Sequence, residues 1–261
     1  MVVTAALIKE LRERTGIGMM ECKKALSEAN WDIELAIEEL RKKWLAKAAK
    51  KADREALEWA IRIVSEEGTT YVLSVSCETD FLANSDRFKT MLDEVLQFLK
   101  DNGAESRDAA QNLIEKNYSL EMGENLQIKD YEILSGDVSA NYVHSNAKLA
   151  AVVLAATWAD EEKLKQVAMH ITAANPDFLS PDDISEDVLE KEKSIQLEMM
   201  KNDPKMEGKP DEVLLKIIEG KMWKFKSEIS LLEQAFVVNP DQKVKDFLGD
   251  TKLISFKRYT I

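Results

Sequence analysis

Two histidines and two cysteines in 261 residues leave little material for metal binding or nucleophilic catalysis. Cys22 and Cys77 lie far apart in different segments, in neither CxxC nor metal-ligand spacing, and are expected to be reduced structural thiols. His144 falls at a strand end and His170 on a helix. His170 is expected to pack rather than catalyse, because no partner for a Ser-His-Asp or Cys-His set is placed beside it. Glycine is also sparse, at nine residues, and none forms a G-x-x-x-x-G-K-[ST] or G-x-G-x-x-G phosphate cradle; Gly16-Ile17-Gly18 reads as a turn between helices. No apolar run approaches the roughly 18 residues of a membrane span, and the segment Met1 to Ala6 lacks a basic stretch followed by an apolar one. A net charge of -12 argues against nucleic acid as the main ligand, since phosphate binding rests on a lysine and arginine footprint. These absences point to a soluble cytoplasmic protein that uses no cofactor.

What is present is a 45% hydrophobic sequence with well-formed periodicities, enough to fill cores in one large or two to three small domains. The most informative stretch is Cys77-Glu78-Thr79-Asp80-Phe81-Leu82-Ala83-Asn84. Before it, Tyr71, Leu73, Val75 and Cys77 alternate with Ser74 and Ser76, the period-2 pattern of a half-buried strand. After it, Phe88, Met91, Leu92, Val95, Leu96 and Leu99 recur at helical spacing behind Ser85, a candidate N-cap. An acid and an aromatic thus sit side by side on a turn between two elements that already have their own apolar faces. No second carboxylate or histidine lies near Asp80 by local spacing, which disfavours a general acid or base there. The pair suits an interface anchor with one charged and one apolar group.

Around that stretch the elements arrange as α+β. Three short helices occupy residues 1–54: one stopping at Thr15-Gly16-Ile17-Gly18, one with Cys22, Ala25, Leu26 and Ala29 inward, and one capped by Asp32 with Ile33, Ile37 and Leu40 inward. The lysine-rich tail Arg41 to Arg54 reads as a solvated helical linker. Residues 55–138 begin with a hairpin, Ala60 to Val64 and Tyr71 to Cys77 joined across Ser65-Glu66-Glu67-Gly68. They continue through the Ser85 helix and a second helix at Asp108 to Tyr118 to a strand near Tyr131. Residues 139–261 hold an alternating strand up to His144, a continuously apolar strand at Leu149 to Ala156 and a helix at Glu161 to Ala174. A protruding antiparallel helical hairpin at about 181–227 follows, its helices at Asp187 to Met200 and Asp211 to Phe225, and then strand-like Ala235 to Val238 and Leu253 to Tyr259. Antiparallel sheets fit this order better than a βαβ repeat.

Several of these stretches, taken in order, resemble elongation factor Ts of bacteria. They are Thr15 to Leu26, Glu78 to Asn84, Met122-Gly123-Glu124-Asn125, Gly136-Asp137-Val138 with Tyr142-Val143-His144, Met169 to Ala174, Gly208-Lys209-Pro210, and Leu231 to Val237. The match spans nearly the whole chain. It implies a guanine-nucleotide exchange factor acting on elongation factor Tu by binding alone, without covalent chemistry and without direct nucleotide, nucleic acid or membrane binding. In that likeness residues 1–54 are a ubiquitin-associated-like (UBA-like) bundle that meets the partner through Met19 and Met20. Thr79, Asp80, Phe81 and Leu82 disturb the partner's magnesium site, Gly123 and His144 lie at the same surface, and the hairpin serves self-association. The alternatives are a UBA-like adaptor without exchange activity and an enzyme pairing Asp80 with His144.

The chain departs from the family pattern at Glu21, Ile17 and Leu82, all mildly. The pattern of many relatives carries one more helix, with its own contact to the partner, beyond the strand that ends these 261 residues. Trp31, Trp44, Trp59 and Trp158 fall where the pattern has glycine, and the places after Asn30 and after Lys43 are expected to be helix ends. A left-handed non-glycine residue costs roughly 1–2 kcal/mol. Four such coincidences among five tryptophans lead to the hypothesis that the source organism reads UGA as glycine; UGG codons at these positions would end it.

Overall fold

The structure, a computed structural model, describes residues 5–51, 56–66, 68–145, 147–156, 158–203 and 209–260, with the side chains of 44–51 and 211 outside that description. Glu67 of the hairpin turn, the end of the linker at Arg54, the loop residues 204–208 with Gly208, and the side chains of Trp44, Lys47, Lys50 and Lys51 therefore lie outside it. The fold is α+β, built as two compact units: residues 1–134 with 143–149 and 260–261, and residues 135–142 with 150–259.

The first unit opens with α1 (Ala5–Thr15), α2 (Met19–Glu28) and α3 (Ile33–Lys51). Leu11, Cys22, Leu26 and Ala36 are fully buried between them, as helical spacing requires of one apolar stripe per helix. Asp32 caps α3, its Oδ1 accepting the Leu35 N–H at 3.0 Å. The expected linker is not a separate element, because α3 runs unbroken through Lys51. Trp44 accordingly sits inside a helix, and the expectation of a helix end after Lys43 is corrected. Trp31 does mark one: it follows α2 at φ 71°, and its N–H donates to the Leu26 carbonyl at 2.8 Å.

Next come β1 (Glu58–Glu66) and β2 (Thr69–Cys77), an antiparallel hairpin whose register runs from Glu58 opposite Cys77 to Glu66 opposite Thr69. Gly68, just before β2, takes a φ of 77°, a left-handed backbone that glycine adopts without steric cost. Beyond β2 lie α4 (Asp80–Ala83), α5 (Asp86–Asn102), α6 (Arg107–Asn117), α7 (Ser119–Met122) and β3 (Gln127–Ser135). The sheet order is β1-β2-β3, so β2 is central. Ser74 and Ser76 are buried along with Leu73, Val75 and Cys77, which corrects the half-buried expectation. The side chains Val75 and Cys77 join Phe88, Met91, Val95 and Leu99 of α5 in one apolar core.

In the second unit β4 (Val138–Val143), β5 (Leu149–Ala155) and a late strand form a sheet with β5 in the middle, which is why β5 is continuously apolar. α8 (Glu161–Ala174) buries Leu164, Val167, Ala168 and Ile171 against it. Asp160 caps α8, and Asn175 ends it in the left-handed region. Ser180-Pro181 opens only a short 3-10 turn with a capping box; the long helix α9 (Glu186–Lys201) follows it and packs on α10 (Asp211–Ile229). Lys221 Nζ donates to Gln196 Oε1 at 3.1 Å across this pair. The chain then makes β6 (Ala235–Phe236), β7 (Asn239–Lys243), α11 (Val244–Leu248) and β8 (Leu253–Thr260), the last completing the β4-β5-β8 sheet.

His170 is buried and hydrogen-bonded at both ring nitrogens. The Val237 N–H donates to Nδ1 at 3.1 Å, so Nε2 carries the proton and faces Gln234 Oε1 at 2.9 Å. Burial holds its pKa below the ordinary value, and the Gln234 hydrogen bond only partly opposes this. It is a packed histidine, as its sequence position implied.

Candidate functional site

The turn after β2 is a single helical turn, α4, rather than an open loop. Thr79 caps it: its backbone is extended at φ -127° and ψ 148°, and its Oγ1 accepts the Leu82 N–H at 3.3 Å. At the other end Asn84 returns to the Asp80 carbonyl through its side-chain amide at 2.8 Å and its N–H at 3.1 Å. Ser85 then caps α5, accepting the Phe88 N–H at 3.2 Å. Ala83 points into the core and Leu82 packs at its edge, which leaves Asp80 and Phe81 outward.

Phe81 is 86% exposed. Fully burying a side chain of this size is worth about 1.5–3 kcal/mol, so the fold forgoes a gain that a neighbouring core could supply. Exposed single apolar residues are ordinary. A rigidly presented phenylalanine next to a carboxylate is less so, and α4 is held at both ends.

A second loop braces it. Gly123 closes α7 in the left-handed region at φ 73°, and Glu124 follows. The Glu124 carboxylate accepts the Glu78 N–H at 2.7 Å, the Thr79 N–H at 2.9 Å and the Thr79 hydroxyl at 2.5 Å. In return Glu78 Oε1 accepts the Asn125 N–H at 2.9 Å. Charge-assisted hydrogen bonds are the stronger kind, and these four cross between residues 45 to 47 apart in sequence. Next to them Cys77 is buried, and desolvation pushes its thiol up to about 12, with the nearby Glu124 charge adding to the effect.

A third segment lies alongside. His144, exposed at the end of β4, donates its N–H to the Leu149 carbonyl at 2.7 Å and accepts the Ala147 N–H at 2.8 Å. Ala147 in turn accepts the Ile61 N–H at 2.9 Å, which ties the segment to β1. Lys148 pairs with Glu58, the residue opposite Cys77, and that carboxylate holds the ammonium above its ordinary pKa; the Asp80 charge contributes a smaller part.

Met19 and Met20 open α2 and are exposed at 58% and 79%. The start of α2 shares an open groove of about 330 Å³ with α7, lined by Gly16, Gly18, Glu121 and Gly123 among others. Of the residues singled out in the sequence, Thr79 to Leu82 are thus linked to the Gly123 loop, and Lys148 carries the His144 segment to the same region. Glu124 was not singled out, although its motif was. Its partners lie 45 and 46 residues away, beyond the reach of any local pattern. The one local sign is a carboxylate directly after a turn glycine.

The profile of the family described as Elongation factor TS matches residues 78–261, which places the chain among the translation elongation factors. Over 264 aligned positions it is 45% identical to elongation factor Ts of Histophilus somni (strain 2336), covering 99% of this chain and 91% of that protein. Identity is 45% to the same factor of Actinobacillus pleuropneumoniae serotype 3 (strain JL03) and 46% to that of Haemophilus ducreyi, over the same shares. The chain belongs to the elongation factor Ts family.

Proposed function

We propose that this chain binds elongation factor Tu in its GDP-bound form and accelerates GDP release, with Asp80 and Phe81 entering the partner near its magnesium ion. The observation that carries the reading is the presentation of Phe81, almost wholly exposed on a helical turn capped at both ends. Family membership supports the partner.

Binding alone suffices for exchange. A factor that prefers the nucleotide-free partner must, by reciprocity, weaken that partner's hold on nucleotide to the same degree. Phe81 supplies apolar area that is unburied in the free factor, and Asp80 places a negative charge where the nucleotide's phosphate and its metal ion are held. Met19 and Met20 would add apolar contact from the bundle, Gly123 and His144 would lie at the same surface, and the second unit would reach the partner's other domains. The α9–α10 hairpin is the candidate for self-association, and the protein would act in the cytoplasm.

The test is release of a fluorescent GDP from elongation factor Tu on addition of the chain. Acceleration by the wild type, reduced in Phe81→Ala and Asp80→Ala, is the expected result. No acceleration by the wild type would end the reading and leave a binding module.

A further inference from the structure

The four hydrogen bonds between the 78–79 and 124–125 loops are more than the packing of two turns requires. Each carboxylate reaches over to satisfy backbone of the opposite loop: Glu124 takes two N–H groups and the Thr79 hydroxyl, and Glu78 takes the Asn125 N–H. Thr79 Oγ1 also accepts the Leu82 N–H and thereby starts α4. One hydroxyl therefore joins two functions, accepting from α4 and donating to Glu124.

We propose that Glu124 is a positioning residue for nucleotide exchange, fixing Thr79 so that Asp80 and Phe81 are presented already in the conformation that enters the partner. The proposal rests on the exchange reading above. A four-residue helix is too short to persist on its own, since nucleation costs more than one turn of hydrogen bonds returns. The cap and the clamp supply what length does not. Without them the turn would sample open conformations, and ordering it at each encounter would weaken binding. Gly123 fits the same scheme. Its φ of 73° sends the chain back toward Thr79 as α7 ends, and a Cβ built there meets no atom within 4 Å, so its glycine is required by backbone direction and not by crowding within the chain.

The experiment uses the full chain with elongation factor Tu carrying fluorescent GDP, and amide hydrogen exchange on the chain alone. Glu124→Ala is expected to slow GDP release about tenfold, a loss equal to roughly 1.4 kcal/mol, while raising amide exchange at Leu82, Ala83 and Asn84 and, with three charge-assisted hydrogen bonds lost, lowering the unfolding midpoint without abolishing cooperative unfolding. Glu124→Gln, which keeps an acceptor oxygen, should recover part of the rate. In the Phe81→Ala/Asp80→Ala background, adding Glu124→Ala should slow release by less than about twofold, because a residue that acts through others has nothing left to position. Thr79→Val, which removes the hydroxyl from the clamp and with it the cap of α4, should slow release at least as much and serves if Glu124→Ala fails to fold. A wild-type rate in Glu124→Ala, or in Thr79→Val should Glu124→Ala not fold, would overturn the proposal. So would the full tenfold loss persisting in the doubly substituted background. Unchanged amide exchange at 82–84 would overturn it even if the wild type proved inactive in GDP release, so failure of the exchange reading and failure of the clamp are told apart.

Discussion

The side chain of Glu121 occupies the space beside Gly16: a Cβ added at Gly16 would lie 2.2 Å from Glu121 Cγ. Gly16 ends the first helix of the bundle at φ 68°, and Glu121 belongs to α7, where the Arg87 guanidinium grips it through three hydrogen bonds of 2.8–3.0 Å. Arg87 also lies over the Tyr118 ring at 4.8 Å. The bundle and the α5–α7 region thus meet at a position where only glycine fits.

Gly16→Ala is therefore expected to be destabilising on two grounds. The left-handed backbone alone costs an alanine about 1–2 kcal/mol. The close approach adds to it, since Arg87 restrains the glutamate from swinging aside. Denaturant midpoints should show the loss, and it should be smaller when measured against a Glu121→Ala parent, which lacks the two nearest side-chain carbons but keeps the Cβ at 3.0 Å and the left-handed backbone.

Phe81→Ala should leave stability within about 0.5 kcal/mol of the wild type, because an exposed side chain away from caps and packing contributes little. Its effect belongs in the GDP-release assay. Circular dichroism and thermal unfolding alongside that assay separate the two, and a large fall in stability would mean that Phe81 is part of the core.

Acid should weaken the second unit through His170. Burial lowers its folded-state pKa below the ordinary imidazole value of 6.5, so the neutral ring is the folded form. Above that value neither state binds the proton and stability is fully present. As the pH falls through about 6.5 the unfolded chain takes up a proton that the folded one refuses, and stability is lost until the folded-state pKa is reached. A pH series of unfolding midpoints should show this slope. It should be reduced in His170→Gln, which cannot titrate.

Trp158 stands at φ 75° and is 95% exposed, a glycine-type backbone carrying a large unpacked side chain. Trp158→Gly should stabilise the chain by up to about 1 kcal/mol. Trp31 shares the left-handed backbone but packs at the edge of the bundle core, so Trp31→Gly should gain less. Trp59 differs from both. It is part-buried within β1 opposite Ser76, where its backbone raises no demand for glycine. Codons at positions 31, 44, 59 and 158 would decide whether UGA recoding explains them.

Cys77 should resist thiol reagents at pH 8 in the native protein, since its thiol is buried and pushed up to about 12. Cys22 is buried and shifted in the same direction. Titration of free thiols before and after unfolding checks both.

The periodicities gave α5 and α8 within a residue or two, because each has one apolar face, and for α5 the cap Ser85 is in plain view, as Asp32 is for α3; the alternation found β2 although both its faces are buried. Other elements were hidden. The run Asn-Pro-Asp-Gln-Lys of β7 has no alternation, and α11 is too short to show a period. Position 44 looked like a helix end from its family pattern, yet the helix continues, since nothing local in the surrounding alanines and lysines breaks it.

By itself the sequence determined that an acid and an aromatic would stand on a turn between a strand and a capped helix, because hydrophobic alternation and capping are local properties. Only the tertiary structure decided that the turn is a fixed one. That depends on Glu124 reaching Thr79 from 45 residues away and on β2 taking the central place in its sheet, pairings that arise when separate segments meet and that no local window can register.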